Sequence, residues 1–231
     1  MNINILHFIE GARRASGIAV IIDVFRAFSF ECYAVQNKAQ RIIPVASKEL
    51  AYELKQKNPG YLLAGERRGI KLPGFDYGNS PTEIENLDLT GRTIVHTTSA
   101  GTQGLENAHK AAEVITGSLV NAKAIAAYIK LKNYDKVSLV CMGNEGIRPA
   151  AEDELCAGYI KSLLLNQEVD ISGEIENLKF KGGERFFDPA QRAVFPQRDF
   201  YLCTALNSFD FVLKFEYDSK GLGCIRKIDI I

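Results

Sequence analysis

Buried-strand signatures recur along this chain at intervals filled by helical patterns. Residues 18–23 (IAVIID), 41–46 (RIIPVA), 61–64 (YLLA), 92–96 (RTIVH), 112–115 (AEVI) and 136–141 (KVSLVC) are short apolar runs. Strands buried on both faces read as continuous runs of this kind rather than as alternation. Between them, Ala27, Phe30, Ala34 and Asn37 fall on one face of a helix expected over residues 25–37. Ser47 is placed to cap a helix with Leu50, Ala51 and Leu54 inward, and Asn58-Pro59-Gly60 stops it. Further helices are expected after TTSAGTQGL (97–105), from GSLVNA (117–122) through Leu131, and from MGNEGIRPAAED (142–153) through about Leu165. The alternation predicts an α/β protein, a three-layer α/β/α sandwich around a mostly parallel or mixed sheet.

The C-terminal part is less regular. Residues 176–188 (ENLKFKGGERFFD) and 195–206 (FPQRDFYLCTAL) read as helical pieces. Residues 209–215 and 222–228 read as two strands of a hairpin around Tyr217-Asp218-Ser219-Lys220-Gly221. No low-complexity linker divides the chain, so residues 1–231 are expected to form a single domain, in which any two subdomains interleave in sequence.

Composition narrows the partners. Lys plus Arg and Asp plus Glu are both 28, so there is no basic surplus to hold nucleic acid or an anionic membrane. No apolar stretch approaches the ~18 residues of a membrane span. Residues 1–17 hold neither a long apolar core nor a small-residue cleavage site, so a secretory signal is not expected. Five cysteines, odd in number and without a CxxC, read as reduced thiols of a cytoplasmic protein rather than disulfides or a structural zinc site. A homodimer is the default assembly.

In open α/β sheets, ligands bind beyond the carboxyl ends of strands, and several strand ends here are chemically alike. Asp23 closes the first run and Arg26 follows; a carboxylate there can ligate Mg²⁺ or orient water, and a guanidinium can fork onto phosphate or sulfonate. The plainer alternative for Asp23 is a helix N-cap. Residues 65–81 (GERRGIKLPGFDYGNSP) read as one long ordered binding loop, carrying Glu66, Arg67, Arg68, Lys71, Asn79 and Ser80. Thr97, Thr98, Ser99, Gly101 and Thr102 enter a helix with hydroxyl and N–H donors suited to phosphate, as do Ser118 and Asn121 more weakly. Glu152 and Asp153 open another helix, where acids are favoured by the dipole; facing Asp23 and Glu66 they would form a hard-cation site.

Several familiar chemistries are absent. No Gly-Lys-Thr/Ser follows the Ser/Thr-rich turn, so it is not a Walker A loop. Asp23 lacks the DxD pattern of aspartyl-phosphate phosphatases, and no GxSxG elbow supports a hydrolase triad. His7, His96 and His109 lie far apart, without HxH or HExxH, which argues against a histidine-rich metal site.

Taken together, IDVFRAFSF, GERRGIKLPGFDYGNSP, TTSAGTQGL, GSLVNA and PAAEDELCAG resemble, in that order, the 2-phosphosulfolactate phosphatase family, most closely from about Ile18 to Gly158. FPQRDFYLCTALNSFDFV is similar to the family's C-terminal end. The resemblance implies a Mg²⁺-dependent phosphatase that converts (2R)-2-phospho-3-sulfolactate to 3-sulfolactate and phosphate, a step of the coenzyme M biosynthesis type, in a three-layer fold. It departs from the family pattern at Arg68, where relatives commonly carry Gly, and at Ser99 and Ala100, which stand for Thr and Asn. On this reading Asp23, Arg26 and Glu66 are the catalytic candidates. Asp23, Glu66, Glu152 and Asp153 are the metal candidates. Arg67, Lys71, Asn79, Ser80, Thr97, Thr98, Ser99, Gly101, Thr102, Ser118 and Asn121 bind the small polyanionic substrate. Asp23 could serve as metal ligand, base or nucleophile, and the absent aspartyl-phosphate motif favours the first two. A phosphatase for another small phosphorylated acid, or a non-catalytic binder of phosphorylated or sulfonated metabolites, are the alternatives.

Overall fold

The computed structural model describes residues 1–230. Its elements run β1 (Asn2–His7), α1 (Phe8–Arg14), β2 (Ile18–Ile22), α2 (Ala27–Gln36), β3 (Arg41–Pro44), α3 (Lys48–Lys57), β4 (Leu62–Arg67), β5 (Ile70–Lys71) and β6 (Thr93–Thr97). They continue with α4 (Gly101–Asn107), β7 (Glu113–Gly117), α5 (Ala122–Lys132), β8 (Lys136–Cys141), α6 (Ala151–Leu164), α7 (Ser172–Asn177), α8 (Gln197–Cys203), β9 (Phe211–Tyr217) and β10 (Gly223–Asp229).

The strands form one sheet in the order β1-β8-β2-β7-β9-β10-β3-β6-β4-β5. Strands β1, β8, β2 and β7 are mutually parallel, and so are β3, β6 and β4. The antiparallel β9–β10 hairpin joins the two sections, pairing Phe211 with Asp229 and Tyr217 with Gly223. It pairs antiparallel with both β7 and β3. The architecture is α/β with a mixed, mostly parallel sheet and helices on both sides.

Strand β2 shows why. All five residues are buried, and successive side chains point to opposite faces. Ile18, Val20 and Ile22 join an apolar cluster with residues of α5 and α6. Ala19 and Ile21 join another with residues of α1, α2 and α4. Each large aliphatic side chain fully buried in this way contributes about 1.5–3 kcal/mol. Ser47 caps α3 as expected, its hydroxyl accepting the Leu50 N–H at 3.2 Å.

The structure departs from the sequence expectations in three places. Strand β1 was not anticipated: it lies at the sheet edge, where its alternation of half-buried and exposed residues is weaker than the unbroken runs. Residues 65–81 are not one loop, because β4 continues to Arg67 and turns back as β5, pairing Glu66 with Lys71. Residues 176–188 are mostly turns: α7 ends at Asn177, and only a single 3₁₀ turn follows, Glu184–Phe186. Gly182 and Gly183 account for that break. Among the described residues, no helix is long and apolar enough to cross a membrane.

Candidate active site

Asp23 stands one residue beyond β2, at its carboxyl end. Its Oδ2 accepts the Gly101 N–H at 2.9 Å, and its Oδ1 accepts the Ala27 N–H at a loose 3.4 Å. Gly101 begins α4, which follows β6 in the other parallel section yet packs against β2 and α1. This crossover carries the β6 loop to the end of β2 and builds the site from both sections. Burial raises the Asp23 carboxyl to about 6, the Glu66 charge adds to this, and the two backbone N–H groups oppose it.

Glu66, near the end of β4, is also buried. Its Oε1 accepts the Ser99 N–H at 2.7 Å, and its Oε2 accepts the Gly69 N–H at 2.6 Å and the Ser99 hydroxyl at 3.1 Å. The carboxylate thus ties the β4–β5 turn to the β6 loop. Arg68 at the tip of that turn has a left-handed backbone, φ 56°, with its side chain exposed.

The approach to α6 supplies the other acids. Asp153 Oδ1 accepts the Val24 N–H at 2.9 Å, and Oδ2 accepts the Gly143 N–H at 2.8 Å. Gly143 has φ 67°, and a Cβ there would stand 2.1 Å from Arg148 O, so a glycine is needed for this turn. Burial, then the charges of Asp23 and Glu152, hold the Asp153 carboxyl well above its ordinary range. Glu152 is raised to about 7 by burial, against the pull of Arg185 at 3.8 Å. Its Oε2 is buried with no hydrogen-bond partner.

A cleft of about 410 Å³ opens here, and Glu152 and Asp153 are not among its lining residues. Asp23, Arg26, Glu66, Asn79 and Ser99 line it, together with Arg68, Asn144, Arg148, Arg185 and the rings of Phe25 and Phe195. Arg185 lies 5.3 Å from the centroids of Phe186 and Phe195. Its Nε and the Oδ1 of Asn79 are buried polar atoms without a hydrogen-bond partner, an arrangement that native interiors seldom leave unexplained. Arg148 pairs with Glu145 at 3.1 Å on the open side. Among the described residues, Arg68 is the cleft cation without a carboxylate partner.

The remaining candidates are engaged by other groups, Arg26 at the cleft wall and the rest outside its lining. Arg26 is 3% exposed, and its guanidinium is engaged by Asp199 Oδ2 at 2.9 Å, Val194 O at 2.8 Å and Gly69 O at 3.1 Å. Arg67 turns to Thr97 Oγ1 and Ala46 O, both at 3.0 Å, outside the cleft lining. Lys71 is exposed beside Glu83, 3.9 Å away. The Ser80 hydroxyl donates to Asp199 at 2.7 Å. Thr98 and Thr102 bond to each other around the start of α4. Ser118 and Asn121 form a capping box behind the site, with Ser118 Oγ 2.7 Å from Ser29 Oγ.

The four acids do not converge on one point. Among the described residues, the group of three or more ligand atoms within 4.8 Å of one another is His7, Cys141 and Glu154, not any three of Asp23, Glu66, Glu152 and Asp153. Arg148, Arg185 and Asn144 were not anticipated as site residues. Arg148 sat in the quoted GIRPAAED segment, and Arg185 between a Gly pair and a Phe pair.

Fold and cleft together define an α/β protein with a polar, arginine-rich pocket at strand ends. A profile of the 2-phosphosulpholactate phosphatase family matches residues 5–218. The chain is 43% identical over 169 residues to a probable 2-phosphosulfolactate phosphatase of Carboxydothermus hydrogenoformans, covering 73% of this chain and 69% of that one. It is 34% identical over 225 residues to one of Clostridium perfringens strain SM101, covering 90% of each. It is 31% identical over 208 residues to one of Bacillus subtilis, covering 88% and 89%. The chain belongs to the 2-phosphosulfolactate phosphatase family.

Proposed function

We propose that this chain is a phosphoric monoester hydrolase that cleaves 2-phospho-3-sulfolactate to 3-sulfolactate and inorganic phosphate; its relatives are named probable 2-phosphosulfolactate phosphatases. The observation that carries the reading is the pairing, in one cleft, of the buried Asp23 with arginines able to face a polyanion. A substrate bearing phosphate, carboxylate and sulfonate needs several fixed cations. Arg185 is pre-oriented among aromatic rings, while Arg68 and Arg148 lie toward the open side.

The donor set fits a hydrated Mg²⁺ rather than an all-protein cage. Mg²⁺ is commonly held by one or two carboxylates, with water and substrate phosphate completing its shell. Glu66 and Asp153 have both oxygens engaged by N–H donors. Glu152 Oε2 has no partner, so Glu152 would hold the ion, while Asp23 Oδ1, with only a long contact, is left free to take a proton. When bound, Mg²⁺ supplies Lewis-acid polarisation of the phosphoryl oxygens.

The chain's own groups account for the rest. Arg185 and Arg68 bind and orient the phosphoryl oxygens, and Arg148 takes the far anionic group. Phe25 and Phe195 shield one wall from water. Asp23, poised near neutrality, accepts at Oδ1 a proton of the attacking water. The new P–O bond forms as the ester P–O bond breaks, and the departing sulfolactate oxygen leaves with a solvent proton.

The test is substrate preference. Phosphate release should be fastest from 2-phosphosulfolactate, slower from 2-phospholactate and slowest from phosphoglycolate. Equal rates on all would remove the sulfonate from the account and leave a general phosphatase of small phosphorylated acids. Tight binding with no phosphate release would make the chain a metabolite-binding protein.

A further inference from the structure

Strands β1 and β8 pair in parallel with His7 opposite Cys141. Side chains of directly paired residues share a face of the sheet. Ile3 and Ile5 pack into the same cluster as Val137 and Leu139, on the side covered by α6. His7 and Cys141 are the next residues of that parity, so they emerge on the α6 side at the strand ends. The first turn of α6 brings Glu154 over them. His7 Nε2 stands 2.8 Å from Glu154 Oε1, and the ligand atoms of all three residues lie within 4.8 Å of one another. None of the three lines the cleft.

We propose that His7, Cys141 and Glu154 form a binding site for a divalent transition-metal ion of the zinc class, separate from the phosphate-binding cleft. An imidazole nitrogen, a thiolate and a carboxylate are the donors that zinc accepts in tetrahedral sites. Hard Mg²⁺ takes oxygen donors and would not select this set. The Cys141 thiol is buried and donates to Asp153 O at 3.5 Å. The side chains of His7 and Glu154 are 44% and 40% exposed, so the site opens to solvent on their side and leaves a fourth position for water. Binding exchanges the thiol proton, released to solvent, for a sulfur–metal bond. The ion would clasp the edge strand β1 to β8 and to the start of α6, adjoining Asp153.

The experiment is titration of the tag-free full chain with Co²⁺, a spectroscopic stand-in for zinc. The expected result is one equivalent bound, with near-ultraviolet thiolate-to-cobalt charge-transfer absorption, a raised melting temperature, and collapse of the absorption when Zn²⁺ is added. Cobalt held by oxygen donors in the cleft would give no such absorption. Cys141→Ser should abolish it. His7→Gln and Glu154→Gln, both at exposed side chains, should weaken binding at least about tenfold, the loss that removal of even an outer partner can bring. Absence of the absorption in the native chain, or its persistence in Cys141→Ser, overturns the proposal. If Cys141→Ser does not fold, an absorption unchanged in both His7→Gln and Glu154→Gln overturns it equally.

Discussion

Asp23 Oδ2 accepts the backbone N–H of Gly101 at 2.9 Å, although 78 residues separate them in sequence. That bond joins the end of β2 in one parallel section to the helix that follows β6 in the other. The carboxylate is thereby fixed in a buried place where a charge is costly, and its other oxygen stays available to the cleft.

Asp23→Asn preserves shape and can still accept the Gly101 N–H, but it cannot take a proton. Turnover should fall at least about a hundredfold, the usual scale for general-base loss. The melting temperature should hold or rise slightly, since a buried carboxylate is replaced by a neutral amide. Steady-state kinetics beside a thermal melt check this; turnover within a few-fold of native would remove Asp23 from the chemistry.

Arg148 and Arg185 should separate in kinetics. Arg148 is exposed and already paired with Glu145, so Arg148→Ala should raise KM several-fold with kcat nearly unchanged. Arg185 is packed among Phe25, Phe186 and Phe195. Arg185→Met keeps the packing and loses the charge, so kcat/KM should drop about a hundredfold, the scale for one transition-state donor. Equal, small effects from both would place the phosphoryl group elsewhere.

The Arg26–Asp199 pair is a stability element. Asp199 Oδ1 also accepts from Ser80 Oγ, Thr82 N and Thr82 Oγ1, so one carboxylate holds α8 against the β2 end and the turn at Pro81. Removing one partner leaves the other charge buried, which costs about 3–5 kcal/mol. Asp199→Asn should therefore shift the denaturation midpoint strongly downward. A change of only a few tenths of a kcal/mol, within the spread of ordinary surface substitutions, would show that the pair carries little.

Behind the site, Glu31 and His96 are fully buried, with Glu31 Oε1 2.8 Å from His96 Nδ1. Burial holds the Glu31 carboxyl above its ordinary value, and His96 offsets this only in part. Its folded pKa therefore exceeds its unfolded pKa, and the unfolded chain loses this proton first as pH rises. The contribution to stability is full below about pH 4.3, the ordinary glutamate value, and declines as pH climbs through the folded pKa. Glu31→Gln should flatten that decline in urea-unfolding midpoints taken across mildly acidic pH. A slope identical to the native one would assign the pH dependence to other groups.

Legibility in the sequence followed local signal strength. The run IAVIID marked both β2 and its terminal acid, because a fully buried strand that stops at a carboxylate needs no long-range information. The β9–β10 hairpin was legible from its turn residues. Strand β1 was not, because an edge strand with half-exposed residues resembles an amphipathic tail. The partner of Arg26 was hidden as well: Asp199 lies 173 residues away in a short helix, and nothing in its neighbourhood distinguishes it from a surface acid. Arg67 and Lys71 read as anion ligands from charge density, yet β4 and β5 pair there and turn one toward Thr97 and the other toward Glu83. Loop charge shows that cations gather, while strand register decides which way they face.

The most direct measurement is phosphate release from 2-phosphosulfolactate by the purified chain, with Mg²⁺ and again after removal of metal by EDTA. Turnover should appear with Mg²⁺, be lost in EDTA and return when Mg²⁺ is restored. Release that is undiminished in EDTA would contradict the role given to Glu152, and no release under any condition would contradict the proposed activity itself.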